Sequence, residues 1–222
     1  NRFRFEYSKF IVKRQQNWQV DAQIDQSSNN ISTAIHYDET SGVRTTQPKN
    51  INGNWSARTD FTFTTGFGAK KAFRLNSSTT GTYDNSVGYI SVDKSVSSQK
   101  NTTKTSGIFQ RLSLRYHNDF MEAKIGASLR YRHTDNELRP QSNMDTYNYT
   151  YSASAKFILP WKMTIENSLR MSSRRGYSNK NMNTDELIWN ATASQNFFKG
   201  SPLIIRLQLY DILRNRSNIV RT

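Results

Sequence analysis

The sequence has no cysteine and no long apolar run, and these two absences exclude several classes of protein. Without cysteine there is no disulfide, no thiolate nucleophile and no cysteine-bound metal, although the compartment stays open. No stretch approaches the ~20 apolar residues that a membrane-spanning helix needs. The mean hydropathy of -0.79 is also low. It does not exclude a membrane protein, because only every second residue of a β-barrel wall meets lipid.

Recognisable catalytic arrangements are missing as well. His36, His117 and His133 lie far apart in sequence and show no metal-ligand spacing. No phosphate-cradling glycine loop or nucleophile motif occurs. The acidic residues that could form an acid/base pair show no such pairing: Asp119, Glu122, Glu166, Asp185, Glu186 and Asp211. We therefore expect no enzyme activity and no catalytic, cofactor or metal site.

Basic residues clearly outnumber acidic ones. The chain has 31 Lys and Arg against 17 Asp and Glu, a net charge of +14. Such a balance ordinarily indicates nucleic acid or an acidic surface as partner. Many of these cations, however, fall on the polar faces of predicted strands or in their connections. A hydrated lumen or an anionic headgroup layer explains them more simply, and no nucleic-acid partner is expected.

Apolar residues alternate with polar ones in the segment from Asp145 to Leu213. Tyr147 to Leu159 is apolar at every second position, with Asn, Thr, Ser and Lys between. Trp161 to Met171 and Leu187 to Phe197 repeat the pattern. Each is a strand with one apolar and one mostly polar face. Repeated alternating strands in hairpin succession are the signature of a transmembrane β-barrel.

Ten strands are predicted along the chain. They are Phe3–Ile11, Trp18–Ile24 with an extension to Tyr37 left open, Trp55–Phe63, Phe73–Tyr89, Leu112–Tyr116, Met121–Tyr131, Tyr147–Leu159, Trp161–Met171, Leu187–Phe197 and Leu203–Leu209. Residues 38–54 and 91–106 are predicted to be long polar connections.

The fifth and sixth predicted strands can be aligned through a turn at Asp119-Phe120. If Asn118 pairs with Met121, like faces meet. The pairs that follow are Tyr116 with Ala123, Leu114 with Ile125, His117 with Glu122 and, unfavourably, Arg115 with Lys124. A two-residue shift would keep the faces matched, so only the parity is fixed.

Short and long connections alternate strictly along the chain. Those near 13, 68, 119, 160 and 200 are short, and those near 45, 98, 139 and 181 are long. Outer-membrane barrels have short turns at the periplasmic rim and long loops at the other rim. Tryptophans lie where the membrane interfaces would fall, at Trp18, Trp55, Trp161 and Trp189. The fold class predicted is all-β, an antiparallel transmembrane β-barrel, as an internal fragment of about ten up-and-down strands.

Five motifs occur in an order that resembles a known family. They are Ile51-Asn52-Gly53-Asn54-Trp55, Thr65-Gly66-Phe67-Gly68 with Lys70-Lys71, Ser173-Arg174-Arg175-Gly176-Tyr177, Glu186-Leu187-Ile188-Trp189-Asn190-Ala191 and Leu209-Tyr210-Asp211-Ile212-Leu213. Together they resemble the outer-membrane β-barrel family of Bacteroidetes-type bacteria, which is related to TonB-dependent receptors. The resemblance covers nearly the whole chain.

The resemblance implies a large barrel in the bacterial outer membrane that serves nutrient uptake. Its implied partners are outer-membrane lipid, a plug domain, a TonB-type energy coupler and a surface lipoprotein. Neither a signal peptide, a plug nor an amphipathic closing strand is visible in the sequence, and Ser217 to Thr222 shows no closing pattern. Residues 1–222 are therefore expected to be a partial barrel, internal to a longer protein.

Two groups of side chains could form a binding site. Arg111, Arg115, Lys124, Arg130 and Arg132 share the polar face of one hairpin. They are an anion-attracting patch on the lumen wall or a hydrated face whose charges pair with a neighbouring strand or a plug. A second group is aromatic and comprises Tyr131, Tyr147, Tyr149, Trp161, Trp189 and Phe197. Aromatic girdles at the lipid interface explain this group better than a stacked ligand does.

A second function class stays open from the sequence. The chain could be a soluble antiparallel β protein that binds a polyanion through its basic face. Salt-sensitive retention on heparin or nucleic acid would favour that hypothesis. Dependence on detergent would favour the barrel.

Overall fold

The computed structural model describes residues 1–38, 40–91, 96–197 and 203–216. Strand makes up 73% of the described residues. Within the described ranges there is no α-helix, and the few helical turns are single 3-10 turns. No helix in this part of the chain is long and apolar enough to cross a membrane.

Twelve strands form two antiparallel sheets. Their bounds are β1 Arg2–Ile11, β2 Gln16–Ser27, β3 Asn30–Tyr37, β4 Arg44–Ile51, β5 Asn54–Phe67, β6 Phe73–Ile90, β7 Gln99–His117, β8 Met121–Asn136, β9 Met144–Ile158, β10 Met163–Arg175, β11 Asp185–Asn196 and β12 Ile204–Leu209. Ten of them form one sheet in the order β1-β2-β5-β6-β7-β8-β9-β10-β11-β12. β3 and β4 pair only with each other as a separate hairpin.

The large sheet is an up-and-down meander, which confirms the prediction of about ten such strands. Residues 12–15, 68–72, 118–120 and 159–162 make the short connections, and all lie at one end of the sheet. The longer connections lie at the opposite end, which is called the long-loop rim below. The predicted turn at 198–202 and the terminal stretch 217–222 lie outside the described residues.

Two sequence predictions about connections are wrong. The predicted connection 38–54 contains β4, and the predicted connection 91–106 contains the start of β7. The second strand does not run on to Tyr37, because β2 ends at Ser27 and β3 belongs to the other sheet. β4 and the start of β7 are polar on both faces, so neither shows the period of two that reveals a strand facing an apolar phase.

The face parity predicted for β7 and β8 is confirmed, and of the registers that it allows the structure has the one that pairs Asn118 with Met121. The Asn118 N–H donates to the Met121 carbonyl at 2.9 Å. The Asn118 side-chain oxygen also accepts from the Phe120 and Met121 N–H groups, at 3.1 and 2.7 Å, and this fixes the turn. The pairs are Tyr116 with Ala123, Leu114 with Ile125, His117 with Glu122 and Arg115 with Lys124.

The large sheet encloses no hydrophobic core. Among the described residues the only buried hydrophobic side chains are Ala34, Ile51 and Val87, all at or near the long-loop rim. No large side chain there is fully buried. The alternating apolar residues are instead exposed: Phe3 by 73%, Leu207 by 60% and Leu169 by 41%. They share one side of the sheet, which is called the apolar face below.

The described strands do not form a closed barrel. β1 pairs only with β2, and β12 pairs only with β11, so the described sheet has two open edges. The all-β, antiparallel, ten-stranded part of the predicted fold is therefore established. Closure of the sheet around a lumen is not part of the described fold.

Candidate functional site: an arginine cluster on the polar face

The five basic residues predicted to share a face do so. Arg111, Arg115, Lys124, Arg130 and Arg132 all project from the side of the sheet opposite the apolar face, here called the polar face. They do not form one group, however. Arg115 and Lys124 lie directly opposite each other near the β7–β8 turn, whereas Arg111, Arg130 and Arg132 lie further along the strands.

The cations near the turn are partly compensated. Arg115 lies between Arg74 on β6 and Lys124 on β8, so three cations face one another across three strands. Glu122 reduces this repulsion through an ion pair with Arg115 at 3.4 Å. Both partners are substantially exposed, so the pair contributes little to stability.

The other three arginines belong to a larger group that crosses four strands. Asn148 on β9 lies opposite both Arg130 and Arg174, which places Arg174 of β10 in the same row as Arg130. Arg170 lies four residues before Arg174 on β10, on the same face. Arg111, Arg130, Arg132, Arg170 and Arg174 are called the arginine cluster below. Sequence reasoning missed its last two members, because only the strand alignment brings them beside the β7–β8 hairpin.

No member of the arginine cluster forms an ion pair with any described residue. The prediction that a neighbouring strand would pair these charges is therefore not met in this part of the chain. Phe109 lies among them, with the Arg130 and Arg111 guanidinium carbons 4.9 and 5.3 Å from its ring centroid. Cation–π contacts of this kind hold an arginine side chain in place without neutralising its charge.

The polar face is hollowed around the cluster. One concavity of about 590 Å³ is lined by Arg58, Phe109, Arg130 and Arg132 together with small polar residues. A neighbouring one of about 270 Å³ is lined by Arg111, Arg130, Arg170 and Arg174 with Ser and Thr side chains. Both concavities are lined mainly by polar-face residues, so the polar face is the hollowed side of the sheet. Ile108 and Tyr131 also contribute to the larger concavity, and Tyr149 and Ser173 to the smaller.

The other half of the polar face has a different charge pattern. On β1, β2 and β5 the arginines have acidic partners: Arg2 with Asp25 at 2.5 Å, Arg4 with Asp21 at 2.9 Å and Arg58 with Asp60 at 2.6 Å. On the polar face, arginines without an ion-pair partner in the described chain thus lie beyond β5, and they include Arg74 on β6 as well as the arginine cluster. A concave surface with one sign of charge raises the local concentration of anions.

The three histidines lie in separate places. His36 is on the β3–β4 hairpin, His117 lies opposite Glu122 in register, and the His133 Nδ1 is 2.9 Å from an Asp145 carboxylate oxygen. Within the described ranges no three His, Asp or Glu side chains approach closely enough to hold a metal ion.

Several aromatic pairs lie towards the ends of the strands on the apolar face. Near the short turns the Trp18 and Phe63 ring centroids are 4.3 Å apart. Towards the long-loop rim, Trp55 and Tyr83 are 4.8 Å apart, and Tyr131 and Tyr147 are 4.9 Å apart. The predicted aromatic group is spread over both ends of the sheet and does not form one stacking site.

The long-loop rim is a hydrogen-bonded structure. Ile35 of β3 donates to the Ser98 hydroxyl at 2.8 Å and accepts from the Ser98 N–H at 2.7 Å. At the tip of the β3–β4 hairpin, Asp38 accepts from the Thr40 and Ser41 N–H groups at 2.9 and 3.3 Å. These hydrogen bonds lower the pKa of the Asp38 carboxyl group, with the Thr40 N–H the largest cause.

The described strands thus define a class of molecule: an antiparallel β meander with a concave basic face and an exposed apolar face. No model of a known protein family matches the chain, and no curated protein sequence matches it. A functional proposal therefore rests on the two faces and on the sequence motifs.

Proposed function

We propose that the chain forms part of the wall of an outer-membrane β-barrel of the TonB-dependent-receptor type. In this proposal the apolar face meets lipid and the concave polar face lines an aqueous lumen. The observation that carries the proposal is the exposed apolar face of a ten-stranded meander that encloses no core. The open edges at β1 and β12 then pair with further strands, because unpaired backbone groups are not tolerated in lipid.

The exposed apolar face is costly in water. Each Å² of apolar surface removed from water stabilises a protein by roughly 25 cal/mol, and soluble β proteins obtain this by packing two sheets face to face. In the described residues no second layer covers Phe3, Ile125, Leu169 or Leu207. A hydrocarbon phase provides the same stabilisation without a second protein layer.

The positions of the aromatic pairs also support a membrane wall. Trp18 with Phe63 and Trp55 with Tyr83 lie at opposite ends of the same strands, on the apolar face. Aromatic rings are enriched at both membrane–water interfaces, where an apolar ring meets a polar headgroup layer. Most strands also exceed the ~9–11 residues that cross a bilayer, so they project into water at the long-loop rim.

Nutrient uptake in the bacterial outer membrane is the role that the five sequence motifs favour. Their resemblance also supplies the partners of the proposal: outer-membrane lipid, a plug domain, a TonB-type energy coupler and a surface lipoprotein. The long-loop rim, where the β3–β4 hairpin and Ser98 are joined by hydrogen bonds, is the surface available to a lipoprotein outside the cell.

Cysteine labelling tests the orientation of the two faces, and the absence of native cysteine leaves no background. We propose the single variants Ser168→Cys and Ser172→Cys on the polar face of β10, with Leu169→Cys and Met171→Cys as matched neighbours on the apolar face. In membranes, a water-soluble maleimide should label the two serine positions and spare the two apolar positions.

Equal labelling at all four positions would refute the proposal. Leu169 and Met171 are 41% and 40% exposed in the isolated chain, so a protein surrounded by water would be labelled there readily. A period of two in the labelling therefore requires lipid on one side of β10.

The arginine cluster favours a second candidate function, a soluble β protein that binds a polyanion. The two functions differ in what releases the protein from a membrane pellet. Salt or heparin would release a protein held by its basic face, whereas a barrel wall needs detergent. Release by 1 M salt alone would favour the polyanion-binding protein.

A further inference from the structure

We infer that the arginine cluster is a binding site for a small hydrated polyanion, a molecule that carries several phosphate, sulfate or carboxylate groups. This inference rests on the proposed function, since it places the ligand in the lumen of the barrel. It adds the ligand's chemical class and the residues that bind it. Arg111, Arg130, Arg132, Arg170 and Arg174 provide the charge, and Phe109 positions two of them.

The cluster holds charge that the described chain does not neutralise. Elsewhere on the polar face each of Arg2, Arg4 and Arg58 has a carboxylate within 2.9 Å or less. Most side chains around the cluster are uncharged, among them Asn148, Thr150, Ser128 and Ser172. Two acids lie on the same face, Asp84 in the larger concavity and Glu186 opposite Ser172 on β11, against five arginines. These guanidinium groups line two adjoining concavities and repel one another, so an anion that binds several of them also reduces that repulsion.

The spacing of the arginines suits several anionic groups rather than one. Arg130 and Arg132 are two residues apart on β8, which is about 6.8 Å along a strand. Arg130 and Arg174 lie in one row with β9 between them, which is about 10 Å across the sheet. Each guanidinium presents a planar fork that binds one oxyanion bidentately. A ligand that contacts the whole cluster therefore carries charges at intervals of this size.

The chemistry of the surroundings favours a hydrated ligand over a packed protein segment. Protein interfaces are anchored by buried aromatic or aliphatic side chains. Within the two concavities the one bulky apolar side chain that points to the polar face is Phe109, and two guanidinium groups already lie against its ring. The other polar-face residues of the lining are Arg, Ser, Thr, Asn, Gly and one acid, Asp84, all of which stay well solvated.

The test is calorimetric binding to the full chain in a non-ionic detergent, with inorganic tripolyphosphate and a heparin tetrasaccharide as probes. The variant R130Q/R132Q/R174Q removes three charges from the cluster. The matched control K13Q/R14Q/K70Q removes three exposed charges from the short turns. We expect the cluster variant to bind at least about ten-fold more weakly, since one lost charge-assisted hydrogen bond already has that effect. The control should change affinity less than two-fold.

A second variant separates the guanidinium fork from charge alone. Arg130→Lys keeps the charge but loses bidentate geometry, so it should bind the probes about three- to ten-fold more weakly than wild type. The strand signal in circular dichroism establishes that each variant is folded. If wild type binds neither probe, or if the cluster and control variants lose affinity equally, the inference is wrong.

A third probe distinguishes a small polyanion from an acidic protein segment as the source of the anionic groups. Tighter binding of an acidic peptide such as hexaglutamate than of either small probe would overturn the assignment, in favour of an acidic protein segment as occupant. The proposed barrel is tested separately, by whether salt or detergent releases the chain from membranes. A chain released from membranes by salt that still binds tripolyphosphate through the cluster would refute the barrel and leave the site standing.

Discussion

Gly176 occupies a position where no side chain fits. Its φ is +83°, in the left-handed region that favours glycine. An added Cβ would overlap the Asp145 carbonyl oxygen, which is backbone and cannot move aside. The neighbouring Tyr177 hydroxyl bonds Asn148 at 3.1 Å, so the chain here joins the end of β10 to β9. The glycine allows that close approach at the long-loop rim.

We therefore predict that Gly176→Ala lowers the free energy of unfolding in detergent by about 3 kcal/mol or more. Gly42→Ala is the matched control. Gly42 also has a positive φ, of +70°, but nothing lies within 4 Å of its added Cβ, so the variant should cost only about 1–2 kcal/mol. Urea unfolding followed by tryptophan fluorescence measures both. Equal losses would show that backbone conformation, not space, decides the outcome at Gly176.

Strand pairing places like charges opposite one another near the β7–β8 turn. Arg74, Arg115 and Lys124 form a row across β6, β7 and β8. Like charges directly opposite each other destabilise a sheet. Ladder hydrogen bonds and the turn at Asn118 hold the register in spite of this row, and Glu122 offsets part of the repulsion.

Lys124→Glu should accordingly stabilise the sheet. The new carboxylate would lie opposite Arg115, and the gain should be roughly 0.2–1 kcal/mol in low salt, falling as salt is added. Lys100→Glu makes the same change of charge opposite Tyr89, where no cation faces it in the register. That control should leave the unfolding midpoint unchanged. A loss of stability in Lys124→Glu would mean that Lys124 has a favourable partner that this register does not show.

The two ends of the whole molecule differ, and the difference predicts its orientation. Short turns lie at one rim, and the β3–β4 hairpin and longer loops lie at the other. In outer-membrane barrels the short turns face the periplasm. A protease site inserted after Ser41 should be cleaved on intact cells, whereas the same site after Asp119 should be cleaved only once the outer membrane is permeabilised. Cleavage of the Asp119 site alone on intact cells would reverse the orientation.

Period-two alternation was enough to predict most of the meander from the sequence. It works where one face of a strand is apolar, as in β9 and β10, and it predicted the face parity of the β7–β8 pair correctly. It fails at β4 and at the start of β7, where both faces are polar. Those segments belong to or approach the long-loop rim, where the sequence shows no alternation to read.

The candidate site was predictable only in part, for a related reason. Arg111, Arg130 and Arg132 lie on one hairpin, so sequence parity alone assigns them to one face. Arg170 and Arg174 join them only through the alignment of β8, β9 and β10, which depends on loop lengths and hydrogen bonds far apart in sequence. Phe109 was missed because an aromatic ring on a polar face breaks the pattern by which that face was recognised.

The alternation described for β9 has a consequence for the chain before it folds. In an extended, unpaired strand, apolar and polar side chains follow one another residue by residue. No stretch is therefore continuously apolar, and water can solvate all of it. The apolar surface of the sheet forms only when neighbouring strands pair with their apolar positions on the same side. In the proposed barrel, such a polypeptide can cross an aqueous compartment as an extended, hydrated chain. It gains affinity for a membrane when its strands pair.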